Sequence, residues 1–170
     1  MNEATAPARP KMEKAEDPVL KLNFLSHGTL ESTDLDRSRE FYTEFLGLEV
    51  VRTSPISLLI RLGGPNTIAV VQSKSQAEMS LLNHNGLDVE TEAEVDAAYE
   101  KVVEFAEKYD LKRIGKPKVQ HGTYSFFFWD MDNNAWEILT NPKGGYSWLF
   151  EMGDQEGQGH MAKDFERPKQ

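Results

Sequence analysis

The chain has no cysteine at all. That excludes a disulfide framework, a thiolate nucleophile and a thiolate metal ligand together, so any metal chemistry must rest on histidine, aspartate and glutamate. Histidine is itself scarce, with four in 170 residues. Basic residues are outnumbered, 19 Lys and Arg against 28 Asp and Glu, for a formal net charge of −9. Nucleic acid and an anionic membrane face both require a basic footprint and are not expected as partners. No apolar run is long enough to span a bilayer, and the opening "MNEATAPARPKMEKAEDP" lacks the apolar stretch of a secretory signal. The cytoplasm is the expected address, with small molecules or proteins as partners.

What the chain does have is the balance of one globular domain, 39% hydrophobic and 28% charged. Residues 1–19, rich in Ala, Pro, Glu and Lys, read as a flexible tail without a role in chemistry. Residues 20–142 read as the domain. "KLNFLSHGTLES" alternates as a strand, with Leu25, His27 and Thr29 on one face. "TDLDRSREFYTEFLG" follows as a helix, capped by Thr33 or Asp34 and closed by Gly47. Three strands are expected at 49–53, 56–62 and 67–72, the last two joined by the "GGPN" turn. The same order then starts again. "NHNGLDVE" reads as a strand, and Thr91 with Glu94 forms a capping box for the helix carrying Val95, Ala98, Tyr99, Val102 and Val103. Strands at 113–119, 123–129 and 135–140 complete a second βαβββ unit, giving modules of about 22–73 and 83–141.

The halves can be superposed by number. His27 and His84 lie 57 positions apart, and the same offset sets Leu30 on Leu87, Glu31 on Asp88 and Tyr42 on Tyr99. Aligning "PNTIAVV" with "NNAWEIL" through Asn66 and Asn134 sets Ala69 opposite Glu137. Glu137 is then an acid inside an apolar strand, between Trp136 and Ile138, and a buried ionised carboxylate needs a cation. A single histidine at the start of a strand is more often a surface or satisfied residue than a ligand. The aligned triple His27, His84 and Glu137 carries the metal reading where no member alone does.

Together "HGTLESTDLDRSREFYTEFLGLEV", "HNGLDV" and "WDMDNNAWEIL" resemble the vicinal oxygen chelate superfamily, which includes glyoxalase I, extradiol dioxygenases, fosfomycin-inactivating thiol transferases, methylmalonyl-CoA epimerase and bleomycin-binding proteins. The resemblance implies an α+β fold of two βαβββ modules forming a curved mixed sheet, a cup whose floor holds a divalent metal. It maps the metal ligands onto His27, His84 and Glu137. Two imidazoles and a carboxylate suit Fe(II), Mn(II), Ni(II), Co(II) or Zn(II), and leave positions open for substrate and O₂. Ala69 stands where glyoxalase-type sites carry a fourth ligand, which favours the open three-ligand arrangement that extradiol dioxygenases and the fosfomycin transferases both use; Fe(II) and an extradiol-type cleavage of a catechol-like aromatic are the first expectation.

By the same resemblance His121 is the expected acid or base and Tyr124 the expected hydrogen-bond donor beside the centre, since Phe127 occupies the position of the extradiol tyrosine. Two other classes stay open. One is a non-redox lyase, epimerase or thiol transferase acting on a vicinal-oxygen substrate; the other is a metal-free ligand-binding protein. A homodimer is expected, with the site built in one chain or across two. Residues 143–170 gather Tyr146, Trp148, Leu149, Phe150 and Phe165 into an arm expected to pack on the domain, on a partner or over the cup. His160 in that arm is expected to be solvated.

Overall fold

The computed structural model describes residues 15–74, 77–120, 122–141 and 145–155. The strands are β1 (His27–Ser32), β2 (Glu49–Ser54), β3 (Ser57–Arg61), β4 (Thr67–Gln72), β5 (Asn85–Val89), β6 (Lys118–Gln120), β7 (Thr123–Trp129) and β8 (Ala135–Thr140). The helices are α1 (Leu35–Glu40), α2 (Glu92–Glu104), α3 (Ala106–Tyr109) and α4 (Ser147–Met152). They form two mixed sheets of the same topology, β1-β4-β3-β2 and β5-β8-β7-β6, in which β1 runs parallel to β4 and β5 to β8.

Local signals set most boundaries. The Asp34 carboxylate accepts from Asp36 N and Arg37 N and so caps α1, while Thr91 and Glu94 satisfy each other's backbone at the start of α2. Gly47, at φ 69°, turns the chain out of the first helical segment. That segment differs from the single helix expected. After Glu40 it widens into a π-helical turn, Phe41–Phe45, with Leu46 N donating to Phe41 O at 3.1 Å. The wider turn lets the consecutive Phe41 and Tyr42 both reach the interior, each at 0% exposure.

Two strands are shorter than expected. Leu20, Leu22, Phe24 and Leu25 precede β1 outside the sheet and are exposed. β6 is reduced to three residues because Arg113 adopts φ 50°, which breaks an extended run, leaving a single bridge between Lys112 and Trp129.

The register makes the repeat physical. Thr29 pairs with Ala69 and Gly86 pairs with Glu137, so Ala69 and Glu137 are equivalent positions of the two modules. The modules share one apolar core. Leu30, Leu58, Ile60 and Val70 of the first sheet join Phe126, Phe128, Trp136 and Ile138 of the second, with Phe41, Tyr42, Val95 and Val102 between them. Within this chain the sheets therefore do not close into one cup. Their helix-side faces are brought together, and by strand alternation the other faces point away from the common core.

The "DMDNN" turn joins the modules. Asp132 accepts from Thr33 N at 3.1 Å, Thr33 Oγ1 at 3.0 Å and Ser38 Oγ at 2.5 Å, and Asn134 Nδ2 donates to Glu31 O at 3.0 Å. Asn133 fills the turn's left-handed position, φ 59°, a conformation that asparagine tolerates and that a glycine would otherwise supply. In the arm, Trp148 of α4 is buried and Phe150 exposed. Phe165 and His160 lie outside the described residues, as does most of the N-terminal tail.

Candidate metal centre

Glu137 sits in the middle of β8, 5% exposed, on the face turned away from the shared core. Its Oε2 is 3.0 Å from His84 Nε2. His84 is placed by the 3-10 turn Leu81–Asn83 that leads into β5, and its Nδ1 is 2.6 Å from Leu81 O. A carbonyl oxygen can only accept, so Nδ1 carries the hydrogen and Nε2 is the atom offered to Glu137. Two electron-pair donors, an imidazole nitrogen and a carboxylate oxygen, then face each other. They require a cation between or upon them, either a proton on Nε2 or a metal ion.

The spacing suits a metal. With bond lengths of about 2.1 Å, two adjacent ligand atoms at right angles lie about 3 Å apart. Pinning the remote imidazole nitrogen to a backbone carbonyl is also how metal-ligating histidines are held. The pair supplies two of the donors that a divalent ion takes.

Other side chains surround the pair. Ser125 of β7 is fully buried and donates from Oγ to Glu137 Oε1 at 2.6 Å, and Gln120 Nε2 donates to Ser125 Oγ at 2.8 Å. Phe127, paired with Glu137 across the β7–β8 ladder, meets the His84 ring edge-on with centroids 4.9 Å apart. Asp88 lies two residues beyond Gly86 on the same face. Its carboxyl is held above the ordinary range by burial first and by the Glu137 charge, against a lowering hydrogen bond with Asn141.

The five residues singled out from the sequence fall in four different situations. His84 and Glu137 are in contact. His27 starts β1 on the other sheet, exposed, with its Nδ1 3.1 Å from Ser26 Oγ. It does not join the pair, and among the described residues no group of three or more His, Asp or Glu side chains is gathered for a metal. Tyr124 points to the opposite face of β7 from Ser125 and Phe127, and its hydroxyl donates to Asp96 of α2 at 2.8 Å. The structure does not bring it to Glu137. His121 lies outside the described residues.

Ser125 and Gln120 were not singled out beforehand, although a signal existed. Folding β7 onto β8 about Asp132 pairs Phe127 with Glu137, and strand alternation then puts Ser125 on the same face.

Two βαβββ modules of the same topology, the second carrying a buried carboxylate that faces an imidazole, define the class of scaffold. The chain belongs to the Glyoxalase/Bleomycin resistance protein/Dioxygenase superfamily, whose family model matches residues 25–138. It is similar to a trivalent organoarsenical cleaving enzyme of Bacillus sp. (strain MD1), 26% identical over 114 residues, 67% of this chain and 71% of that protein. It is also similar to the fosfomycin resistance protein FosX of Listeria monocytogenes, with 25% identity and TM-score 0.56, over 72% of this chain and 96% of that one. The lactoylglutathione lyase of Agrobacterium tumefaciens shares the fold, at 19% identity and TM-score 0.52, over 74% of this chain and 99% of that one. Among the described residues no helix is long and apolar enough to cross a membrane.

Proposed function

We propose that this chain is a divalent-metal-dependent enzyme for a small molecule, with His84 and Glu137 of one copy and His27 of a second copy as protein ligands. The observation that carries the reading is the buried Glu137 facing His84 Nε2 at 3.0 Å, with Nδ1 tied to a carbonyl. The homodimer in this reading is supported by the exposure of His27 and by a symmetry in the surface around both histidines. Phe24 and Leu25 precede His27, and Leu81 and Leu82 precede His84 at the same offset; all four are exposed, Leu25 at 85% and Leu82 at 90%. Two copies packing the outer face of a first module on that of a second would cover both apolar pairs and complete two equivalent sites.

The N,N,O donor set suits Fe(II), Mn(II), Ni(II), Co(II) or Zn(II). With Ala69 contributing no fourth ligand, positions remain for a chelating substrate and for O₂. We favour Fe(II) and extradiol-type cleavage of a catechol-like ring: a bound ion would supply charge stabilisation to the substrate oxygens, and His121 is the residue assigned to take up or release the proton. Phe127 against His84 gives the site an aromatic wall for a planar substrate. Asp88 on the same face weighs against a dianionic one.

A non-redox lyase, epimerase or thiol transferase is the second reading. It is supported by the similarity to FosX and by Phe127, which places no phenol beside His84. Carry-over of an arsenical substrate is weakened by the absence of cysteine, because soft trivalent arsenic is held best by thiolates.

Elemental analysis of anaerobically purified protein, then O₂ uptake with a catechol panel, separates these readings. Iron with catechol-dependent uptake supports the first. Another metal with anaerobic turnover supports the second, and no bound metal ends both in favour of a metal-free binding protein. Site sharing is tested by mixing His27→Ala with Glu137→Ala protein. Exchange between copies restores metal to about a quarter of the sites, because half the dimers are mixed and each mixed dimer regains one site. If mixing restores none, the site is not shared between copies.

A further inference from the structure

The hydrogen bonds around Glu137 form one continuous line, Gln120 to Ser125 to Glu137 to His84 to Leu81 O, at 2.8, 2.6, 3.0 and 2.6 Å. Both ends are fixed by chemistry. The Gln120 amide nitrogen can only donate, so Ser125 Oγ accepts from it and must direct its own hydrogen elsewhere. The carboxylate oxygen Oε1 is the acceptor it meets. At the other end the Leu81 carbonyl holds the His84 hydrogen on Nδ1. Only one position in the line is left without a fixed hydrogen, the gap between Glu137 Oε2 and His84 Nε2.

We propose that Ser125, oriented by Gln120, is a positioning residue that occupies Glu137 Oε1 and leaves Oε2 alone to bind the metal. Glu137 is thereby a one-oxygen ligand, and the coordination position its second oxygen would take stays available to substrate. This rests on the metal-centre reading above and specifies how that centre is kept open. Three features separate this role from ordinary packing. Ser125 has 0% exposure, so its hydroxyl has no water to turn to. Its bond to Glu137 joins a hydroxyl to a charged acceptor, the stronger kind. Phe127, the next residue on that face of β7, has no polar atom to substitute for it.

The test uses the full chain, freed of metal by a chelator and titrated with Co(II), whose visible bands report coordination. Ser125→Ala is expected to lower Co(II) affinity about 10- to 100-fold, the usual effect of losing an outer-shell partner. It is also expected to weaken the bands as Glu137 turns to bind through both oxygens. Ser125→Thr, which keeps the hydroxyl, should recover both. Gln120 is only half-buried, and Gln120→Ala should cause a smaller loss, about threefold, without affecting folding; it carries the test if Ser125→Ala does not fold. Wild-type protein that takes up no Co(II) removes the metal reading and this inference together. Wild type that binds Co(II), with a folded Ser125→Ala of the same affinity and spectrum, overturns the inference alone. If Ser125→Ala does not fold, an unchanged Gln120→Ala does so.

Discussion

Removing His84 from the metal-free protein should destabilise the fold, and removing the Glu137 charge as well should restore most of the loss. In apo protein buffered at about pH 5.5, where an imidazolium can face a carboxylate, unit charges 3.0 Å apart interact by roughly 5 kcal/mol at an effective dielectric of about 20. The His84 side chain is 29% exposed and that of Glu137 7%, so solvent screening and the desolvation of the carboxylate leave a net of about 1–3 kcal/mol. At about 2–4 °C per kcal/mol for a chain of this length, apo His84→Ala should melt about 2–12 °C below wild type. In His84→Ala/Glu137→Gln the buried charge is gone while a carbonyl remains for Ser125, so the midpoint should climb back most of the way. Melts in chelator give the apo values. Repeating them with a divalent metal at about 100 times its dissociation constant adds about 2.7 kcal/mol to the wild type and nothing to the single variant. An apo His84→Ala that melts with wild type, or a double variant no more stable than the single one, would show that Glu137 does not depend on His84 for its charge.

Tyr124→Phe should leave metal uptake and turnover at wild-type levels, since its hydroxyl bonds Asp96 on the helix side; a large loss of turnover would restore it to the site. Asp132→Ala strips three donors of their acceptor between the modules and should cost about 2–4 kcal/mol, read by urea denaturation; a change below about 1 kcal/mol would mean that the turn is not the joint. Burial above all raises the Asp130 carboxyl to about 6. Its folded value lies above the unfolded one, so its penalty is full above about pH 6 and is relieved as pH falls toward about 4, a span of about 3 kcal/mol. Subtracting the pH–stability curve of Asp130→Asn from that of wild type should show this rise on acidification, and a flat difference would refute it. Gly86→Thr, which copies Thr29 of the first module, sets a side chain beside Glu137 with its Cβ 3.2 Å from Leu139 Cδ2; metal affinity should fall at least tenfold with the fold retained, by Co(II) titration and circular dichroism.

Much of the fold was legible because its signals are local. The Thr91–Glu94 box, the Gly63–Asn66 turn and the strands at 123–129 and 135–140 each rest on a few neighbouring residues, and each stands where it is expected. The repeat was legible through His27 and His84, and the register pairs Ala69 and Glu137 with equivalent neighbours. The features that were not legible depend on residues far apart in sequence. The π-helical turn at Phe41 arises because the shared core accepts two consecutive aromatics, and helical spacing alone cannot announce that. The Asp132 joint links side chains more than ninety positions apart, so nothing near "DMDNN" marks it. Tyr124 was misdirected for a simpler reason. A phenol near the right place in sequence was preferred to the parity of the strand, and parity sends residues 124 and 126 to the helix side.

The two modules differ where the chemistry needs them to. In the first, Thr29 stands beside Ala69, and that face has a side chain on β1 but no acid on β4. In the second, Gly86 stands beside Glu137, and the missing side chain on β5 leaves the carboxylate room to meet His84 from the preceding turn. A fold built from two equal halves would offer two acids and two histidines to one metal and leave little of it for a substrate. With alanine in place of one acid and glycine beside the other, a metal bound at Glu137 would meet fewer protein donors and would keep positions free. The serine itself is common to both modules: Ser57, opposite Val71, is the equivalent of Ser125, and with no acid on β4 it bonds the Thr53 and Ser54 hydroxyls instead. What distinguishes the second module is therefore concentrated on β5, β7 and β8, where Gly86, Ser125 and Phe127 surround Glu137.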